Sequence, residues 1–184
     1  RYPGGKTWLV PRIRQWIASQ GTRPKALVEP FLGGGIVSLT AVCENLVDSA
    51  HCVEMDPQVA AVWKTILGGD AEWLANRILS FKLTRESVVA EFESDRRSMR
   101  NVAFQTILRN RTFHGGMLAP GAGLIKHGEN GKGIASRWYP ETLARRIMAI
   151  DAVRDRINFV EGDGLEFMNQ VRKSPDFIYF IDAP

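Results

Sequence analysis

Four acidic residues stand where the chain could do chemistry: Glu29, Glu54, Asp163 and Asp182. Glu29 opens the segment Glu29-Pro-Phe-Leu-Gly-Gly-Gly-Ile36, which follows the apolar run Ala26-Leu27-Val28 and precedes a helical-looking stretch, Ser38 to Asn45. An acid at a strand end, then glycines, then a helix is the layout of a ligand loop. Glycines let the backbone come close to a bound molecule, and a helix N-terminus points free N–H groups at it. An ordinary tight strand–helix turn would use the same glycines. Glu54 ends a second apolar run about 20 residues after that loop, where an acid accepts hydrogen bonds from ribose hydroxyls. The plainer reading is a surface acid capping the next helix, and Asp56 before Pro57 is placed to do that job. Asp163, in Glu161-Gly-Asp-Gly164, can accept the exocyclic amine of an adenine or simply serve a turn, since Asp-Gly is a common turn pair. Asp182 follows the apolar run Phe177-Ile-Tyr-Phe-Ile181 and heads Asp182-Ala183-Pro184. A polar side chain and a proline at a strand tip fit an active-site edge, and also a strand ended by a turn.

The spacing narrows the ligand. Glu29 to Gly35 reads E-x-F-x-G-x-G and lacks the later glycine of G-x-G-x-x-G, which dinucleotide enzymes usually need. The shorter form with its leading acid suits S-adenosylmethionine, which has no pyrophosphate and carries a positive sulfonium.

These residues need elements to hold them. Arg1 to Lys6 is a glycine loop. Thr7 to Ala18 carries Leu9, Val10, Ile13, Trp16 and Ile17 at helical spacing, with Thr7 as its cap. Lys25 to Val28 reads as a buried parallel strand, Ile36 to Leu46 as its helix, His51 to Met55 as a second strand, and Gln58 to Leu67 as a helix stopped by Gly68-Gly69. That β-α-β-α order predicts a parallel sheet. Asp70 to Arg109 then turns mostly helical. Arg109 to Trp138 is rich in glycine and basic residues and reads as a loop or hairpin with no core of its own. Pro140 to Val153 is helical, with Leu143, Ile147 and Ile150 on one face and Arg145 and Arg146 off it. Asn158 to Glu161 and Phe177 to Ile181 read as further strands. A sheet begins, an insert interrupts it, and the sheet resumes.

The 184 residues suit one domain with an inserted lobe, and 45% hydrophobic content supports a core. No apolar run is long enough to span a membrane, and no leader resembles a signal peptide. The two cysteines, Cys43 and Cys52, lack C-x-x-C spacing, which argues against a zinc site or disulfide framework and favours a reducing cytoplasm. No residues cluster as metal ligands. The net charge of +4 permits nucleic-acid binding without establishing it. The chain has no initiator methionine and stops just after an apolar strand, so a piece of a longer protein is expected.

Taken in order, five motifs carry a resemblance across essentially the whole chain: Arg1-Tyr-Pro-Gly-Gly-Lys6, Glu29-Pro-Phe-Leu-Gly-Gly-Gly35, Val53-Glu-Met-Asp56, Asn110-Arg-Thr-Phe-His-Gly-Gly116 with Arg137-Trp-Tyr-Pro140, and Phe180-Ile-Asp-Ala-Pro184. The chain resembles the Dam-like DNA adenine-N6 methyltransferases. The resemblance implies a Rossmann-like, S-adenosylmethionine-dependent α/β sheet in three layers with a mostly helical DNA-recognition insert, the later strands of the sheet missing. Residues 1–69 and 151–184 would form the incomplete donor-binding and catalytic domain, and 70–150 the insert. Tyr2, Gly5 and Lys6 would flank the donor. Glu29, Pro30, Phe31, Gly33 and Gly35 would shape its methionine side, Glu54 with Met55 beside it would hold the ribose, and Asp163 the adenine. Asp182, with Ala183 and Pro184, would be the catalytic group acting on a base flipped out of duplex DNA. For phosphates the insert offers Arg109, Arg111, Lys126, Lys132 and Arg137, with His114 and Met117 as wedges or base contacts. The partner would be double-stranded DNA and no membrane, the protein a monomer, and the role compatible with restriction-modification.

Two departures from the family pattern matter. D-P-P-Y is here Asp182-Ala183-Pro184, with no aromatic following, so the fragment is expected to be inactive as it stands. In GATC-specific relatives an Asn and an Arg follow the Asn-Arg pair. Gly115 and Ala119 occupy those positions here, which speaks against GATC recognition. Two other readings stay open: a DNA- or donor-binding remnant without catalysis, and a dinucleotide-dependent oxidoreductase, against which the missing third glycine counts.

Overall fold

The computed structural model describes residues 7–94, 98–114, 123–128, 131–171 and 174–183. Tyr2, Gly5, Lys6, Met117 and Pro184 lie outside them. The chain divides into two compact units, one built on Gly4–Ala60 with Val153–Pro184 and the other on Ala61–Ala152.

The first unit is a parallel sheet. Its strands are β1 Ala26–Glu29, β2 Ser49–Glu54, β3 Ile157–Glu161 and β4 Phe177–Tyr179, in the order β3-β2-β1-β4. The central strand β1 is buried at every position, as a parallel strand covered on both faces must be. The edge strand β3 buries only Ile157. Helix α1 (Val10–Ala18) packs on α2 (Ile36–Cys43), which packs on β1 and β2. Helix α8 (Gly164–Gln170) joins β3 to β4 and packs on β2. The path from β1 to β2 runs one way across the sheet and the path from β3 to β4 runs the other way. Right-handed connections then put α2 and α8 on opposite faces. The reversal makes β1 and β4 the topological switch point, and every strand delivers its C-terminal end to the same edge. A mixed α/β fold with a parallel sheet is what the sequence predicts. Thr7 does not cap α1: it begins a 3₁₀ turn, Thr7–Leu9, and Leu9 precedes the helix without a side-chain cap.

The second unit is helical. Helix α3 (Pro57–Thr65) leads through a wide turn, Ile66–Asp70, into α4 (Ala71–Ser80). Gly69 makes that break at φ +96°, a backbone region that costs a side-chain-bearing residue energy. Then come α5 (Arg85–Glu93), α6 (Met99–Thr112) and α7 (Pro140–Asp151). Leu74, Ile78, Val88, Phe104, Leu108, Leu143 and Ile147 form the core, each such side chain contributing about 1.5–3 kcal/mol on burial. Arg77 braces it, pairing with Glu91 at 2.8 Å and lying over the ring of Phe104.

The reading of 109–138 as a loop without a core needs correction. Helix α6 runs on to Thr112, so Arg109 and Arg111 sit in its last turn. Phe113 and Leu124 form an antiparallel bridge, Ile125 is buried, and Leu124, Ile134 and Trp138 pack on the helical core. Those apolar residues follow no 3.6 or 2 period, so pattern reading passes over them, yet they complete a core supplied by other helices.

Candidate functional site

The sheet unit gathers the acids at one edge. Glu29, Glu54 and Glu161 are the last residues of β1, β2 and β3. Beyond β4 the ladder continues for one more bond, Phe180 N–H to the Val28 carbonyl at 2.9 Å, and Asp182 follows two residues later, exposed. The sequence-predicted acids of all four strands therefore share the C-terminal edge where open α/β sheets bind ligands.

Glu29 is 4% exposed, and its Oε2 accepts from both the backbone N–H of Ser38, at 2.9 Å, and the Ser38 hydroxyl. The residue before α2 is Gly35, in the left-handed region at φ +63°, and it has no side chain to cap the helix. Glu29 supplies that cap from the neighbouring strand, neutralising orphan N–H groups at the positive end of the helix dipole. Its placement is thus structural as well as being at the switch point. Ser38 also accepts a bond from the Cys52 thiol at 3.3 Å. Burial, more than this bond opposes, pushes the Cys52 thiol up to about 12, so it has no nucleophilic role at neutral pH. Glu29→Ala is expected to lower unfolding free energy by roughly 1–3 kcal/mol, the cost of leaving buried donors unmade, as read from urea melts against wild type.

Glu54 is 9% exposed and holds the glycine loop. Its Oε2 accepts from Gly33 N–H and its Oε1 from Asp56 N–H, both at 2.8 Å. The loop is tied a second time by Leu32 N–H to the Val53 carbonyl, also 2.8 Å. Two backbone bonds fix the carboxylate plane and leave lone pairs on each oxygen for further donors. Asp56 caps α3 through Oδ1 to Gln58 and Val59 N–H, at 2.8 and 3.1 Å. Capping and ligand-holding are therefore divided between Asp56 and Glu54. Met55 between them is 66% exposed, an apolar face beside a fixed acid.

Asp163 caps α8, its Oδ1 accepting from Leu165 and Glu166 N–H at 2.7 and 3.1 Å. Both bonds use one oxygen. The next residue, Gly164, is buried against the Pro30–Phe31 loop: a Cβ there would overlap the Pro30 carbonyl oxygen and crowd the Phe31 ring. This contact brings Asp163 beside the Glu29 loop. Sequence reasoning took Gly164 only as half of a turn pair and passed over Ser38. The available signal for Ser38 was a polar residue three places after a cap glycine, inside an otherwise apolar helix start.

In the helical unit the basic residues separate. Arg109 lies over the rings of Phe92 and Phe113, at 5.1 and 5.5 Å. Arg111 is half-buried. Arg137 ends a 3₁₀ turn, Gly133–Arg137, and donates from Nη2 to the Phe113 carbonyl at 2.8 Å. Lys126, Lys132 and His114 are exposed. Arg100 pairs with Asp70 at 3.3 Å and lies over Trp73, an ordinary surface arrangement. Among the described residues no His, Cys, Asp and Glu cluster is fit to hold a metal ion, and no helix is long and apolar enough to cross a membrane.

Comparison with known proteins gives one family. Residues 2–105 match the family model of the D12 class N6 adenine-specific DNA methyltransferases. No curated protein matches the chain.

Proposed function

The chain belongs to the D12 class N6 adenine-specific DNA methyltransferases, and from that premise we propose that it transfers a methyl group from S-adenosylmethionine to the N6 amine of an adenine flipped out of duplex DNA at a specific site. The observation that carries this reading is the convergence of Glu29, Glu54, Asp163 and Asp182 on the C-terminal edge of the sheet, around the β1/β4 switch point. In this reading the sheet unit binds the donor and carries the chemistry, and the helical unit recognises DNA.

The residues present fit the donor. Two left-handed glycines, Gly33 at φ +50° and Gly35 at φ +63°, keep the loop free of side chains where a ligand would approach. The Glu54 carboxylate is already oriented by two amides and has lone pairs left for ribose hydroxyls. Met55 and Leu165, each 66% exposed, offer apolar faces beside Glu54 and Asp163, as an adenine ring requires. When bound, the donor supplies an activated methyl on a sulfonium sulfur. The Asp163 oxygen not used in capping accepts an adenine amine. Tyr2, Gly5 and Lys6 are assigned the remaining donor contacts by the family resemblance.

The protein's catalytic task is to make a poor nucleophile competent. The lone pair of an adenine amine is delocalised into the ring. A carboxylate at Asp182 and the following backbone carbonyl accept its two N–H bonds and localise that lone pair on nitrogen. The amine becomes positive as the new bond forms, so these acceptors bind the transition state more tightly than the ground state.

The donor assignment is tested by calorimetry. S-adenosylmethionine is expected to bind and NAD not to bind, and Glu54→Ala is expected to weaken the donor by roughly 1–3 kcal/mol. NAD binding in its place would return the oxidoreductase reading, and unchanged affinity in Glu54→Ala would remove Glu54 from the site.

A further inference from the structure

Arg111, Arg137 and Arg146 come from three different elements of the helical unit and converge. Arg111 lies in the last turn of α6. The Arg137–Phe113 bond ties the 3₁₀ turn to the residue just past that helix end. Arg146 lies on α7, exposed, between Leu143 and Ile147, which pack in the same apolar cluster as Leu108, one turn before Arg111. The charges that act on Arg111 are those of Arg146 and Arg137; together with burial, the larger cause, they press its guanidinium below the usual range. Among the described residues, no ion pair involves any of the three.

Like charges brought together cost stability. Arg111 alone would be at home at a helix C-terminus, where the dipole favours a cation. That explains one arginine and not the other two. An anion held among three guanidinium forks would offset the repulsion, and such forks match phosphate oxygens two at a time.

Building on the function proposed above, we infer that Arg111, Arg137 and Arg146 form one anion site that clamps a single backbone phosphate of the DNA substrate, with Arg146 its third limb. A clamp of this kind fixes register on the duplex and carries no sequence information of its own.

The test uses Arg146→Gln, a surface change, with Arg145→Gln as its neighbour control. Binding to mixed-sequence duplex DNA is followed by fluorescence anisotropy across a salt series, and melting temperature is followed with and without inorganic phosphate. Arg146→Gln is expected to weaken DNA binding roughly tenfold and to reduce the salt slope by about 1. Inorganic phosphate should raise the melting temperature of wild type and of Arg145→Gln, and leave Arg146→Gln unmoved. Wild-type DNA affinity and slope in Arg146→Gln would overturn the clamp and leave the methyltransferase reading intact. An equal loss in Arg145→Gln would overturn it too, since any surface charge would then serve. If phosphate stabilisation depends on Arg146 but wild type does not bind DNA, the anion site stands and the proposed function falls.

Discussion

Asp182→Ala is expected to abolish adenine methylation, a loss of at least about a hundredfold in turnover, while donor affinity stays within about tenfold, or ~1.4 kcal/mol. The asymmetry follows from position. Asp182 stands beyond β4 and is exposed, whereas Glu54, the acid assigned to the ribose, is buried and fixed by the Gly33 and Asp56 amides. Asp182 is asked to bind the amine as it becomes positive, and that interaction is absent when only the donor is bound. Asp182→Asn replaces the charge by a neutral amide and is expected to keep weak activity at most. Single-turnover transfer of tritiated methyl, in the full-length protein, measures the step directly. Turnover at the wild-type rate in Asp182→Ala would remove it from the chemistry.

The second large effect is at Gly164. A methyl group there would run into the Pro30 carbonyl oxygen, which is backbone and cannot swing aside, and into the edge of Phe31. Gly164→Ala is therefore expected to cost roughly 1–3 kcal/mol in unfolding free energy, the usual penalty of overpacking, and to displace Pro30 and Phe31 from the glycine loop. Donor affinity should fall with it. Gly162 supplies the control: a Cβ there meets only Val160 Cγ1 at an ordinary 3.8 Å, so Gly162→Ala should melt with wild type. Denaturant titration of both variants checks this. Equal stability of the two would mean that the β3–α8 turn does not press on the Glu29 loop.

The parallel sheet was legible because each short apolar run ended in an acid or a glycine and was followed by a helical period, so strand, loop and helix announced one another. The acids at strand ends followed from the same logic, since a parallel sheet sends every C-terminal end to one edge. What the sequence did not disclose is how those acids are held. Glu29 caps α2 because Gly35 cannot, and no local pattern links residues nine apart across a turn. Gly164 is required by a loop more than a hundred residues earlier in the chain. The helical unit was harder still. Phe113, Leu124, Ile125, Ile134 and Trp138 obey no period, and only the finished core of α4, α6 and α7 gives them a place. The family match ends at residue 105. The roles of Asp163 and Asp182, and of the arginines, thus rest on strand-edge position and on charge.

The most direct test is to identify the product. Duplex DNA of mixed sequence is incubated with the full-length protein and methyl-labelled S-adenosylmethionine, digested to nucleosides and analysed by mass. The site described here predicts N6-methyladenine, with label absent when Asp182 is Ala. Label on a cytosine, on RNA or on protein, or none in a protein that binds both donor and DNA, would contradict it.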